Sequence, residues 1–178
     1  MRFWLYTILL GLFAFQSNAQ LNHWETILYD STTWKYQVPN ANTPNNWQAT
    51  NFNDATWNSA KGGFGFGDND DFTVLPTNST AVYLRRTFDI TDLSSIIALA
   101  MHIDYDDGYI AYLNGIEMAR NGIPNGVPGY NTLATMSHEA QLYQNGQPDL
   151  VLLTANQLQG ILVQGANTLC VAVFNQTV

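Results

Sequence analysis

Cysteine is almost absent from this chain of 178 residues: Cys170 is the only one. An exported protein stapled by disulfides shows an even set, so no disulfide framework exists. Cys170 sits among apolar neighbours in NTLCVAVFN and reads as a small buried hydrophobe rather than a reactive thiol. Basic residues are nearly as scarce, with 6 Lys and Arg against 14 Asp and Glu. That balance leaves no basic footprint for nucleic acid or an anionic membrane surface. Long helical periodicity is missing, as is any repeat at solenoid or propeller spacing. Beyond the N-terminus, no apolar run is long enough to span a bilayer.

Catalytic motifs are missing too. His23, His102 and His138 are far apart and lack metal-ligand spacing. There is no Gly-x-Ser-x-Gly elbow. The GFGFG run is Gly-x-Gly-x-Gly, without the helix that would meet a phosphate. Paired carboxylates could serve a glycosidase, but nearly every acid here falls in a turn, where structure explains it. The expectation is a non-enzyme.

The N-terminus does carry a signal. Arg2, the apolar run Trp4 to Phe15 and the small residues Ser17-Asn18-Ala19 form a secretory signal peptide over residues 1–19. The expected location is secreted or cell-surface. Cleavage before Gln20 removes one basic residue and no acidic one, leaving a net charge of −9. The remaining 159 residues form one domain, 20–178, long enough to fold on its core alone.

What fills that domain is short apolar runs rich in Val, Ile, Tyr, Phe and Trp, punctuated by Gly, Asn, Pro and Thr. This is an all-β pattern. Its centre is Asp104 to Arg120, DYDDGYIAYLNGIEMAR. Asn114-Gly115 is the strongest short-range hairpin signal, because both central residues of a type I′ turn need φ > 0. Asp106-Asp107-Gly108 supplies a second turn. Glu25 to Tyr36 is a first, loosely alternating piece. In Thr80 to Ile90, Val82, Leu84, Arg86 and Phe88 fall on one side and Tyr83, Arg85 and Thr87 on the other. Ile96 to Asp104 reads as a second, more buried strand. Thr132 to Pro148 has room for a short helical turn. Leu150 to Leu162 reads as the one helix, capped by Thr154, with Leu158, Ile161 and Leu162 inward. Asn167 to Asn175 is the last strand, with Leu169, Val171 and Val173 on one face. The chain stops just after it, so the pattern predicts an exposed terminal edge and a domain truncated at its C-terminus.

Several stretches taken together resemble the galactose-binding-domain-like jelly rolls of large exported bacterial proteins. They are WKY at Trp34, FNDATW, GGFGFGDND, AVYLRRTFDI, the Asp104–Arg120 block and GANTLCVAVFNQ. The resemblance covers the chain from Trp24 onward. Its most specific parts are the Asp-Asp-Gly turn with the Tyr-Leu-Asn-Gly hairpin, and the Gly-x-Asn-x-Leu entry to the last strand. One departure is Gly165-Ala166-Asn167, where the family usually has Gly-Glu-Asn. Such domains often sit beside CotH-type kinase-like domains, lamin-tail domains or glycoside hydrolases. The resemblance implies a jelly-roll β-sandwich, and sugar binding, protein contact or a spacer role as its work.

Candidate ligand contacts are Asp104, Asp106 and Asp107, whose carboxylates could accept sugar hydroxyls, with Arg120 and Tyr130 at the sheet rim. Turn chemistry is the competing explanation for the three acids. Asp68, Asp70 and Asp71 in GDNDDF suit Ca²⁺, a cation with 6–8 oxygen ligands, although the spacing is not that of an EF-hand. Trp34, Trp47, Trp57, Tyr105, Tyr109, Tyr112 and Tyr130 could stack on pyranose faces or pack the core. Trp34 and Trp57 are expected in the core, and Tyr130 is expected exposed. The expected function is a carbohydrate-binding or accessory module that grips a glycan or polysaccharide through loops 62–72, 105–108 and 121–131. The alternative is a spacer that docks to neighbouring domains of the same protein.

Overall fold

In the computed structural model, residues 23–67 and 71–177 are described. Residues 1–19, where a signal peptide is expected, lie outside them. Ten strands alternate with loops: β1 (Thr33–Gln37), β2 (Asn58–Lys61), β3 (Phe64–Gly65), β4 (Thr73–Val74), β5 (Ala81–Ile90), β6 (Ala98–Ile103), β7 (Gly108–Leu113), β8 (Ile116–Asn121), β9 (Asp149–Thr154) and β10 (Gly165–Phe174). Six of them form an antiparallel sheet in the order β2-β1-β5-β10-β7-β8. β6 and β9 form a second, antiparallel pair, and β3 and β4 a short parallel one. The fold is an all-β sandwich.

Alternation along the central strands sets the two faces. Ala81 and Tyr83 of β5, Ile110 and Tyr112 of β7, and Cys170, Ala172 and Phe174 of β10 point one way. Irregular chain covers this face, anchored by Trp47 and Trp57. The Trp47 ring stacks on Tyr83 at 4.3 Å and meets Tyr112 edge-on at 5.8 Å. On the opposite face, Leu84, Tyr109, Ala111 and Val171 pack under Met101, Ile103 and Val151 of the β6–β9 pair. Phe88, Ile90 and Leu113 continue that layer under Leu153, Leu158 and Leu162. Burying each such large side chain contributes about 1.5–3 kcal/mol. β7 is buried along its whole length because both of its faces are covered.

The Asn114-Gly115 turn forms as its sequence predicts, with φ of 52° and 82°. The faces of β5 and of β10 also follow the expected alternation. Four expectations are corrected. β10 is not a terminal edge: β5 pairs with it on one side and β7 on the other, so it lies in the middle of the sheet. Leu150 to Thr154 is strand, because it pairs with β6 from Ala98 to Ile103. Only one helical turn follows, α1 (Ala155–Leu158), with Thr154 and Gln157 forming the capping box at its start. β6 is half-buried rather than deeply buried, since only β9 pairs with it and its outer face is open. The first piece narrows to β1, with residues 25–32 irregular. The short helical turn expected within 132–148 is present at Leu142–Gln144.

Candidate functional site

Loops gather at the end of the large sheet where β5 and β7 begin and β8 and β10 finish. Phe174 stands opposite both Ala81 and Gly108 there, and Asn121 opposite Tyr109. The Asp104–Gly108 turn occupies the centre of this rim. Asp104 accepts from the N–H groups of Gln141 (2.8 Å) and Leu142 (2.9 Å), and so braces the 139–144 loop. Asp107 accepts from the N–H of His138 (3.0 Å) and of Gln176 (2.7 Å). Its own N–H donates to the Phe174 carbonyl at 2.9 Å. Burial alone would raise the Asp107 pKa. The Gln176 and His138 amides, with the Asp106 and Ser137 side chains, outweigh burial and hold the carboxyl below the usual range.

Asp106 is the member of the turn left on the surface. Partial burial of its carboxyl, a hydrogen bond with Asp107 and the charges of Asp107 and Glu139 push its pKa up to about 7. Tyr105 lies beneath, with its ring stacked on His138 at 4.1 Å. The His138 Nδ1 donates to the Tyr105 carbonyl at 3.0 Å, which fixes the tautomer. The Tyr105 hydroxyl donates to Asp149 (2.9 Å) and accepts from Asn121 (2.7 Å).

The other candidates divide. Arg120 forms a two-point ion pair with Glu117, at 2.7 and 2.8 Å, and donates to the carbonyls of Pro124 and, at 2.9 Å, Gly126. It therefore holds the loop that follows β8. Tyr130 is 41 % exposed, as expected, and its carbonyl accepts from the Thr80 hydroxyl. Trp47, Trp57, Tyr105, Tyr109 and Tyr112 are buried, so they pack the core and form no sugar platform; Trp34 is half-buried. Asp68 and Asp70 lie outside the described residues. Asp71 leans onto Gly65, where an added Cβ would come 2.1 Å from its Oδ1. Among the described residues, no three or more His, Cys, Asp or Glu side chains are grouped to hold a metal ion. No helix among them is long and apolar enough to cross a membrane.

Two side chains matter more than their local pattern suggests. Arg85 is buried: Nε pairs with Asp54 at 2.9 Å, and Nη1 donates to the carbonyls of Trp47 and Ala49 and to the Cys170 sulfur. It fastens the irregular 47–54 chain to the sheet. Asn167, also buried, ties Val163 and Gly165 to the hairpin residue Asn114. A charged residue inside an alternating strand looks like a solvent residue until its cover is known, whereas Asn167 was marked by the Gly-x-Asn-x-Leu motif.

No protein-family model matches the chain, and no curated protein matches it. Solved structures do share its fold. A β-glucuronidase from glycoside hydrolase family 2 matches 82 % of this chain with a TM-score of 0.50 and 20 % identity. Bifidobacterium dentium β-glucuronidase, complexed with coumarin-3-O-glucuronide, matches 81 % with a TM-score of 0.51 and 16 % identity. The chain spans only 13 % and 19 % of those two proteins. It is an all-β sandwich similar in fold to a minor part of glycoside hydrolase family 2 β-glucuronidases.

Proposed function

We propose that the chain is a non-catalytic carbohydrate-binding or accessory module of an exported, multidomain protein, with a galactose-binding-like jelly roll as its scaffold. The observation that carries this reading is the sandwich itself, which recurs as a small part of glycosidase chains. The non-catalytic assignment rests on the acids. Asp104 and Asp107 spend their oxygens on backbone N–H groups, which takes these two carboxylates out of acid–base chemistry. Export rests on the apolar segment Trp4 to Phe15 and the small residues after it. The glycan contacts come from the loops 62–72, 105–108 and 121–131, with Asp68, Asp70 and Asp71 as the candidate Ca²⁺ ligands.

One observation favours the spacer reading instead. Leu150 and Leu152, 57 % and 51 % exposed, stand on the outer face of the β6–β9 pair. A glycan array and an insoluble-polysaccharide pull-down on residues 20–178, with Ca²⁺ and then with chelator, decide between the two. Retention on a glycan supports the module, and its loss with chelator adds the cation. No retention on any glycan, with an intact thermal transition, contradicts the reading and leaves the spacer.

A further inference from the structure

Lys61 stands out among the described cations. Lys35 donates to the Trp57 carbonyl, Arg86 to the Thr33 carbonyl, and Arg85 and Arg120 to a carboxylate and to carbonyls. The Lys61 ammonium instead lies 5.4 Å from the centre of the Phe72 ring. Phe72 is 69 % exposed, so burial does not explain its place beside Lys61. The two border a shallow depression of about 280 Å³, completed by Asp30, Ser31, Gly62 and Gly63.

The depression has a constrained floor. Gly62 donates to the Thr32 carbonyl at 3.2 Å, and Thr73 donates to Gly63 (N–H, 2.8 Å) and to Lys61 (hydroxyl, 2.8 Å). A Cβ on Gly62 would come 2.2 Å from the Asp30 carbonyl oxygen, so only glycine lets these segments converge. The Tyr29–Thr32 turn closes through bonds of 3.0 Å, and the Ser31 N–H fixes the Asp30 carboxylate at 2.6 Å. Around a held backbone there is thus an exposed flat ring, an ammonium, a carboxylate and a hydroxyl. An apolar ring beside a few convergent polar groups is the make-up of a ligand site. Its volume lies just below the ~300 Å³ at which drug-sized pockets begin, which suits one sugar ring.

We propose that Phe72, Lys61, Asp30 and Ser31 form a binding site for a neutral pyranose unit. The C–H face of the sugar lies on the Phe72 ring. Its hydroxyls donate to Asp30 and accept from Lys61 and Ser31. The Asp30 carboxylate lining the depression and the excess of acidic over basic residues in the chain select against uronates. This inference rests on the carbohydrate-binding reading and chooses one loop among the three. It needs no part of the Asp104–Gly108 rim.

The test is an NMR titration of the protein with lactose, cellobiose, xylobiose and mannobiose, and separately with digalacturonate. The expected result is a shift of the Gly62 and Gly63 amides and the Phe72 ring with at least one neutral sugar. Phe72→Ala and Lys61→Met should each weaken that binding about tenfold. Both substituted side chains are exposed, so thermal transitions like the wild type are expected and serve as the folding control. Shifts confined to residues 105–108 or 121–131, insensitive to Phe72→Ala, would overturn the location and leave the carbohydrate reading standing. A response to digalacturonate alone would overturn the neutral class. No shift with any of these sugars would overturn the site, and together with a failed pull-down it would remove the carbohydrate reading as well.

Discussion

Asn114 donates from Nδ2 to the Asn167 Oδ1 at 2.8 Å, joining positions 53 residues apart. The turn of the β7–β8 hairpin is thereby fixed to the start of β10. The second Asn114 N–H reaches the Ile161 carbonyl at 2.7 Å, and its Oδ1 accepts from the Thr168 N–H at 2.8 Å. The Asn167 amide spends its own donors on Val163 and Gly165. Every group in this buried network has a partner, the condition under which such networks stabilise.

Removing either amide strands the partners of the other. Asn167→Ala should lower stability by about 3 kcal/mol, since several buried groups lose their bonds together. Asn114→Ala should cost less, because the hairpin turn itself survives. The double variant should fall short of the sum of the two, as for residues in one network. Urea unfolding of the three variants checks this, and strict additivity would show that the two amides act independently.

Arg85 makes a second long-range tie. Arg85 is buried and pairs with Asp54, whose side chain is 30 % exposed. Arg85→Met should cost about 1.5–3 kcal/mol, because the Trp47 and Ala49 carbonyls lose a charged donor together with Asp54. It should also free the Trp47–Asp54 chain, seen as faster amide exchange there than in β7. Equal exchange in both regions would contradict the tie.

The neighbouring Cys170 thiol gives an independent readout of that cover. Burial pushes its pKa up to about 12, against the opposing charge of Arg85. At pH 8 the native thiol should therefore be inert to a disulfide reagent and should react only on unfolding. Fast native labelling would mean that the Trp47 layer opens readily.

These ties also show how far the sequence was legible. The Asn114-Gly115 turn and the faces of β5 and β10 were readable because their causes are local: φ > 0 at the turn, and a period of two along a strand. The place of β10 was not, since strand order depends on pairing between distant segments. For the same reason Leu150–Thr154 looked helical; a short apolar run suits either structure until β6 pairs with it. Arg85 was placed on the correct side of β5, yet its burial depends on Trp47 and Asp54, more than 30 residues away. At the candidate site the turn acids were legible as turn chemistry. Their partners Gln141 and Gln176 were not, because a carboxylate carries no mark of the amide it will accept from. Phe72 was readable as an apolar residue in a glycine-rich loop, but its exposure beside Lys61 was not.

Asp106 supplies a pH signature. Its pKa rises from the ordinary 3.8 to about 7 on folding, through burial first and then the hydrogen bond and charge of Asp107. The folded state therefore holds that proton more tightly than the unfolded chain. The stabilisation is fully present below about pH 4 and is lost as pH rises through about 7. Asp107 has the opposite sign, with stability lost as pH falls through its depressed pKa. Asp106→Asn mimics the protonated form, so it should match the wild type near pH 4 and exceed it in Tm near pH 8. Because the residue is exposed, the difference should be small. A Tm difference that stays constant between pH 4 and 8 would contradict the assignment.

A glycan-holding module of the kind proposed retains a polysaccharide without cleaving it. The most direct measurement is affinity electrophoresis of residues 20–178 in native gels cast with neutral polysaccharides. Retarded migration in at least one gel, relieved by the matching free sugar and unaccompanied by release of reducing ends, is the expected result. Unretarded migration in every gel, or retardation with steady release of reducing ends, would contradict it.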